Sequence, residues 1–167
     1  MIYNGVQASR IPEFPDYCIT IEGEVFNTRS GRRMVLSPTL LGELTVGMMK
    51  DGKQYRRSVK LLVAEAFVPG RNNVRNTPIQ KDGDRNNLRA NNILWRPRWF
   101  ALKYSEQFLG NLPDWYYSGP IRELRSDEEY YSIIDAAKIN GLLCKDVLFS
   151  LLNETPVYPT GEIFVYI

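Results

Sequence analysis

The chain has 167 residues, 44% apolar and 24% charged, the composition of one globular domain or two small ones. It contains no histidine, which excludes a Ser-His-Asp triad, a Cys-His pair, a histidine general base and a histidine-bound metal. Its net charge of +2 is unevenly spread: residues 1–28 hold one Arg against four acids, residues 29–103 sixteen Lys/Arg against five, and residues 104–167 four against ten. No run of eighteen apolar residues occurs, so no membrane span is expected, and residues 1–7 lack the basic start and apolar stretch of a secretory signal. Cys18 and Cys144 cannot by themselves form a disulfide framework or a zinc site, so a reducing compartment is expected.

Residues 11–34 read as short strands and turns, with Ile19, Ile21, Val25 and Phe26 as β-formers and Glu22-Gly23-Glu24 as a turn. Arg29-Ser30-Gly31-Arg32-Arg33 is a second turn, and it is basic. Residues 44–49 predict a strand, Lys50-Asp51-Gly52-Lys53 a tight turn and residues 54–59 the returning strand, because Asp-Gly between two such runs signals a hairpin. Val59, Leu62, Val63, Ala66 and Phe67 recur at helical spacing, which predicts a helix over 58–67 stopped by Pro69-Gly70. Residues 71–92 are dense in Asn, Asp and Arg and read as a polar loop. Ile93-Leu94-Trp95 is a short apolar anchor, followed by an irregular linker with a boundary at Asn111-Leu112-Pro113-Asp114. Residues 132–138 and 145–152 predict two short helices joined at Asn140-Gly141, a helix-turn-helix pattern, and residues 161–166 a closing strand.

Four groups of residues occur in one order: Ile11-Pro12-Glu13-Phe14-Pro15-Asp16-Tyr17 with Gly23-Glu24-Val25-Phe26; Val59-Lys60-Leu61-Leu62-Val63-Ala64-Glu65-Ala66-Phe67-Val68-Pro69; Asp82-Gly83-Asp84-Arg85-Asn86-Asn87 with Asn92-Ile93-Leu94-Trp95; and Tyr131-Ser132-Ile133-Ile134-Asp135-Ala136-Ala137 through Tyr158-Pro159-Thr160-Gly161. Together they resemble the phage-type HNH homing endonucleases. They match in turn the small N-terminal module, the helix opening the nuclease region, the loop and anchor of the HNH motif, and the appended helix-turn-helix module. The resemblance implies an α+β fold. An HNH (ββα-metal-like) nuclease-type domain with short antiparallel strands would span 1–110, and a small helix-turn-helix-like module ending in a strand would span 111–167.

In that family an acid–histidine pair precedes the Asp-Gly turn. The histidine activates water, while the acid and a later asparagine hold a divalent cation at the scissile phosphate. Those two positions fall here on Ile79 and Gln80, the central asparagine is kept as Asn92, and the second asparagine position is Ala101. The helix histidine of the family is replaced by Lys60. Isoleucine cannot ligate a metal, and a glutamine amide is no base near neutral pH. The resemblance therefore implies the scaffold without the catalyst: no enzymatic activity, no catalytic residue, no metal and no cofactor are expected. Asp82, Asp84 and Asn86 alternate like the opening of a calcium loop, but Asn87 stands where Gly is needed and Ile93 where Glu is needed. They read as turn-formers, with the Asn side chains bonding local backbone.

The basic middle of the chain points to a polyanionic partner. Arg29, Arg32, Arg33, Arg56, Arg57, Lys60, Lys81, Arg85, Arg89, Arg96 and Arg98 are expected to bind the phosphates of double-stranded DNA, which gives affinity without sequence information. Trp95 reads as a core anchor, and Trp99 and Phe100 as either core or base-stacking groups. The second helix of the C-terminal pair carries one cation and no Arg, Asn or Gln for base edges, and Asp127-Glu128-Glu129 would repel phosphate. That acidic part is expected to offer anchors to a phage or host protein from among Tyr116, Tyr117, Tyr130, Tyr131, Phe149 and Tyr158, several of which read instead as core residues. The reading is a DNA-binding, non-cutting HNH-like protein of the host-cell cytoplasm or the virion. The alternative is a repurposed protein-interaction or virion structural component without DNA sequence recognition.

Overall fold

Alternating apolar and polar residues at the start of the chain build an antiparallel meander: β1 (Ile2–Tyr3), β2 (Val6–Ile11), β3 (Phe14–Thr20) and β4 (Val25–Asn27), in that order in one sheet. A computed structural model describes residues 1–167 and divides them into two units, Met1–Gln80 with Asp84–Arg98, and Lys81–Gly83 with Trp99–Ile167. In the first unit β3 and β4 turn at Gly23, whose φ of +88° suits glycine. A Cβ there would lie 2.4 Å from the Leu88 Cβ, so the turn is also a point of close packing.

A second sheet follows, ordered β5 (Leu36–Pro38), β6 (Leu44–Lys50) and β7 (Lys53–Ser58). Asp51 and Gly52 both take positive φ, as the Asp-Gly hairpin signal requires. Helix α1 (Val59–Phe67) starts where the Ser58 hydroxyl accepts the Leu61 N–H at 3.3 Å, and it buries Val59, Leu62, Val63 and Ala64. These residues join Phe14, Ile19, Val46, Met48 and Trp95 in one core, where the Trp95 indole N–H donates to the Val68 carbonyl at 2.8 Å. The stretch 71–92 is not a single loop, as its composition predicts. Residues Thr77–Gln80 form β8, paired with β9 (Ile93–Arg96) through Ile79↔Leu94 and Gln80↔Ile93. Four residues containing Pro78 are too short to show a periodic pattern, and pairing with β9 makes them a strand.

In the second unit the expected linker is largely a helix, α2 (Arg98–Glu106), which buries Phe100, Ala101 and Tyr104 along one face. The division of the chain therefore falls at Arg98/Trp99 and not at 110/111. Strands β10 (Ile121–Glu123), β11 (Glu129–Tyr130) and β12 (Phe164–Tyr166) form a sheet ordered β11-β10-β12. Helix α3 (Ile133–Asn140) is capped by the Ser132 hydroxyl, which accepts from Asp135 N–H at 3.1 Å, and it closes on Gly141 at φ +63°. Helix α4 (Cys144–Asn153) follows after a three-residue turn. The core joins Ile121, Ile133, Ala136, Leu142, Val147 and Phe164. The Glu123 carboxylate is buried beside it and accepts the backbone N–H groups of Arg125 (2.9 Å), Ser126 (2.5 Å) and Ile163 (3.3 Å). Burial by itself pushes this carboxyl up; the N–H groups of Ser126, Ile163 and Arg125 outweigh it and hold the group below its ordinary value.

Candidate nucleic-acid interface

Strand register decides which cations share a surface. In β6–β7 the partners Val46↔Arg57 and Met48↔Tyr55 face the core, while Thr45↔Ser58, Gly47↔Arg56 and Met49↔Gln54 face away from it. The neighbours Arg56 and Arg57 thus lie on opposite faces. The outward face and the basic turn after β4 enclose a groove of about 420 Å³ lined by Asn27, Ser30, Arg32, Arg33, Met34, Val35, Ser37, Thr45, Gly47, Gln54 and Arg56. Its lining holds three guanidinium groups and no carboxylate. Gln54 lies over Gly47, where a Cβ would come within 2.5 Å of its Nε2. Sequence reasoning missed Gln54, although the period-2 alternation of Gln54, Arg56 and Ser58 was the signal for it.

The remaining cations of the expected field divide into several groups. Arg29 pairs with Asp16 at 2.8 Å, Arg33 with Glu24 at 3.0 Å and Lys60 with Glu43 at 3.7 Å. Arg57 forks onto Glu13, with contacts of 3.1 and 2.5 Å, and stacks over Phe14 and Tyr55 with its guanidinium 5.2 and 5.6 Å from the ring centroids. That hydrogen-bonded fork holds the Glu13 carboxyl below its ordinary value and raises Arg57. Arg96 is a correction to the expected field: it is 6% exposed and donates to the Trp95 carbonyl, so it is an interior group. Arg89 and Arg98 are exposed, and Arg85 is partly so. Lys81 belongs to the second unit, where its carbonyl accepts from the Tyr104 hydroxyl. Phe100 is fully buried, whereas Trp99 is half exposed and stacked on Tyr158 with centroids 5.4 Å apart. Tyr130 is core, and Tyr117, Tyr131, Phe149 and Tyr158 are exposed.

The loop between β8 and β9 keeps its shape through its own polar side chains. Asp84 Oδ1 accepts Asn86 N–H at 2.9 Å, and the Asn87 carbonyl accepts both the Gln80 amide (3.0 Å) and the Asn92 amide (3.1 Å). Ala90 N–H donates to the Ile21 carbonyl at 2.9 Å, which ties the loop to the first sheet. Of the four positions that the family uses for catalysis, Ile79 is a buried hydrocarbon, Gln80 and Asn92 are buried amides joined through Asn87, and Ala101 is a methyl group on α2. A hard divalent cation takes carboxylate and carbonyl oxygens. These four side chains offer it no carboxylate and do not fit such an ion.

No family model matches the chain. Over 88 residues it is 30% identical to an uncharacterized HNH endonuclease of Acanthamoeba polyphaga mimivirus; the match spans 52% of this chain and 22% of that protein. The chain thus corresponds to about a fifth of the length of that relative. Its fold is similar to that in a solved structure describing DNA binding and cleavage by the HNH homing endonuclease I-HmuI. The TM-score is 0.56 and the identity 22%, over 96% of this chain and 98% of that one. The fold is α+β with short antiparallel strands, and the two likenesses support the HNH homing endonuclease resemblance read from the sequence. They overturn the expectation of a non-enzyme: both relatives are endonucleases, an enzyme family, and neither likeness shows a loss of catalysis.

Proposed function

We propose that the chain binds double-stranded DNA by laying the open face of the β5–β6–β7 sheet along the duplex, in the manner of a DNA-binding nuclease scaffold. The major groove, about 12 Å wide, admits a two-stranded β-ribbon. Arg32 and Arg56 then meet phosphate, and Gln54 is placed to pair with a base edge, as glutamine does with adenine. The observation that carries this reading is the groove with three arginines and no carboxylate in its lining. The solved relative that binds and cleaves DNA supports it as well. Helix α4 adds little to this reading, because its exposed side chains, Lys145, Phe149, Leu152 and Asn153, include one cation.

The test is an anisotropy titration of a 30-base-pair duplex at two salt concentrations. Two phosphate contacts, from Arg32 and Arg56, give a slope of log affinity against log salt of about −2, so affinity falls about 12-fold from 50 to 200 mM salt. No binding at 50 mM, or binding indifferent to salt, would refute the reading. Since the relatives are endonucleases, the same preparations are assayed for Mg²⁺-dependent nicking of supercoiled plasmid. Loss of nicking on Asp84→Ala would assign that carboxylate to the chemistry.

A further inference from the structure

The connection between β5 and β6 is a short turn that carries two leucines into solvent. Leu40 is 107% exposed and Leu41 78% exposed, at adjacent positions. The turn that presents them is firmly held. Thr39 N–H donates to the Glu43 carbonyl at 2.8 Å, Gly42 N–H donates to the Thr39 carbonyl at 2.9 Å, and Glu43 N–H donates to the Thr39 hydroxyl at 3.2 Å. Gly42 takes φ +80°, which suits glycine. The base of the turn is anchored again where the Ser58 hydroxyl donates to the Glu43 carboxylate at 2.6 Å. The two leucines are therefore displayed on a rigid support.

A cation reaches their turn, and the turn's own carboxylate, Glu43, is taken up by Ser58 and Lys60. Arg85, from the loop between β8 and β9, reaches the turn so closely that a Cβ at Gly42 would lie 3.2 Å from its Nη1. The turn begins two residues beyond Thr45 of the arginine groove, roughly 7 Å along the strand. An apolar tip with a guanidinium at its base, on the sheet that carries the arginine groove, suits a polyanion with an apolar interior, and stacked base pairs inside a phosphate backbone are such a target. Minor-groove binders that kink DNA insert Leu, Ile, Phe or Met between base steps, so a wedge carried beside a face in the major groove would enter from the adjoining groove.

We propose that Leu40 and Leu41 form an apolar wedge that enters a base step of duplex DNA held on the open sheet face. The inference rests on the DNA-binding reading and adds a mechanical role to it. Pyrimidine–purine steps, which unstack most easily, are the preferred point of entry. The wedge kinks the duplex beside the loop that carries Asp84 and Arg85.

The experiment uses the full chain and a 30-base-pair duplex with 2-aminopurine at repeated TA steps. Anisotropy reports binding, and 2-aminopurine emission reports unstacking. At saturation in 50 mM salt the natural chain is expected to raise the emission at least twofold. The exposed-tip variant Leu40→Ser/Leu41→Ser binds within about fivefold of the natural chain and shows less than a quarter of that rise. Arg32→Ala/Arg56→Ala binds more than tenfold more weakly, yet gives the full rise once saturated. A natural chain that saturates the duplex without raising the emission overturns the wedge and leaves DNA binding standing. So does a Leu40→Ser/Leu41→Ser variant that keeps the full rise. Absence of any anisotropy change overturns the DNA reading itself. If sedimentation shows the natural chain to be a dimer and the leucine variant a monomer, the tip is a contact between copies and the wedge is wrong.

Discussion

Arg56 and Arg57 make a matched pair, because one charge can be removed at either of two neighbouring positions with opposite consequences. Arg56 extends from the outward face opposite Gly47 into the arginine groove and has no ion-pair partner. Arg57 extends from the inward face opposite Val46, is forked onto Glu13, and covers the rings of Phe14 and Tyr55. Arg56→Ala should remove one phosphate contact. The salt slope should flatten by about 0.9, and affinity at 0.1 M salt should fall about eightfold, with no change in melting temperature. Arg57→Ala should leave DNA affinity within about twofold. It should lower stability through the lost ring stacking, about 0.5–1 kcal/mol for each exposed cation–π contact, together with the packing of its stem. Anisotropy titrations at four salt concentrations, alongside thermal melts followed by circular dichroism, separate the two effects. Equal losses of affinity for the two variants would refute the argument from strand register and return the basic stretch to an undifferentiated field.

Three further outcomes follow from the same geometry. Glu123→Gln sets an amide N–H against backbone donors, so unfolding stability at pH 7 should fall by roughly 2–4 kcal/mol in urea denaturation. The folded carboxyl sits below its unfolded value near 4.5, so its stabilisation is fully present above that pH and is lost as pH falls through the folded value; the gap between the two proteins should narrow as pH falls below 4.5. Burial pushes the Cys144 thiol up to about 11 and raises that of Cys18, so neither should react with a disulfide reagent at pH 8 until the chain is unfolded; rapid labelling of the folded protein would contradict this. Gln80→His places an imidazole where Nδ1–H can donate to the Asn87 carbonyl and leave Nε2 free as a base. Because Ile79 and Ala101 still offer a divalent cation no ligand, this base alone should leave Mg²⁺-dependent plasmid nicking at the natural chain's level; a rise with a new inflection near pH 6.5 would refute that.

The parts of the fold legible in the sequence are those with strong local signals. The Asp51-Gly52 hairpin, the α1 helix with its apolar spacing, and the joint at Asn140-Gly141 after α3 all announce themselves within a few residues. The parts that were hidden depend on distant partners. Residues Thr77–Gln80 become a strand through pairing with Ile93–Arg96, and Arg98–Glu106 becomes a helix through the burial of Phe100, Ala101 and Tyr104, while Trp99 and Leu102 stay exposed and blur the apolar spacing. The site shows the same contrast. The density of arginine was plain, but face and pairing were not, because Glu13, Asp16 and Glu24 are distant in sequence from Arg57, Arg29 and Arg33. Arg96 could not be told from its neighbours until β9 turned it inward.

That pairing leaves few of the chain's many cations free for the proposed DNA contact. Counted by structural unit, the first holds fifteen Lys/Arg against eight acids, a net of +7, and the second six against eleven, a net of −5. Three of the first unit's acids, all from its initial 28 residues, already engage Arg29, Arg33 and Arg57. A phosphate approaching one of those cations replaces a carboxylate that is already in place, so little counterion is released and little salt dependence is gained. Eleven independent contacts would give a slope near −10. A field reduced to Arg32 and Arg56, the groove arginines that no carboxylate engages, gives about −2, so the slope counts the cations left for DNA on the proposed reading.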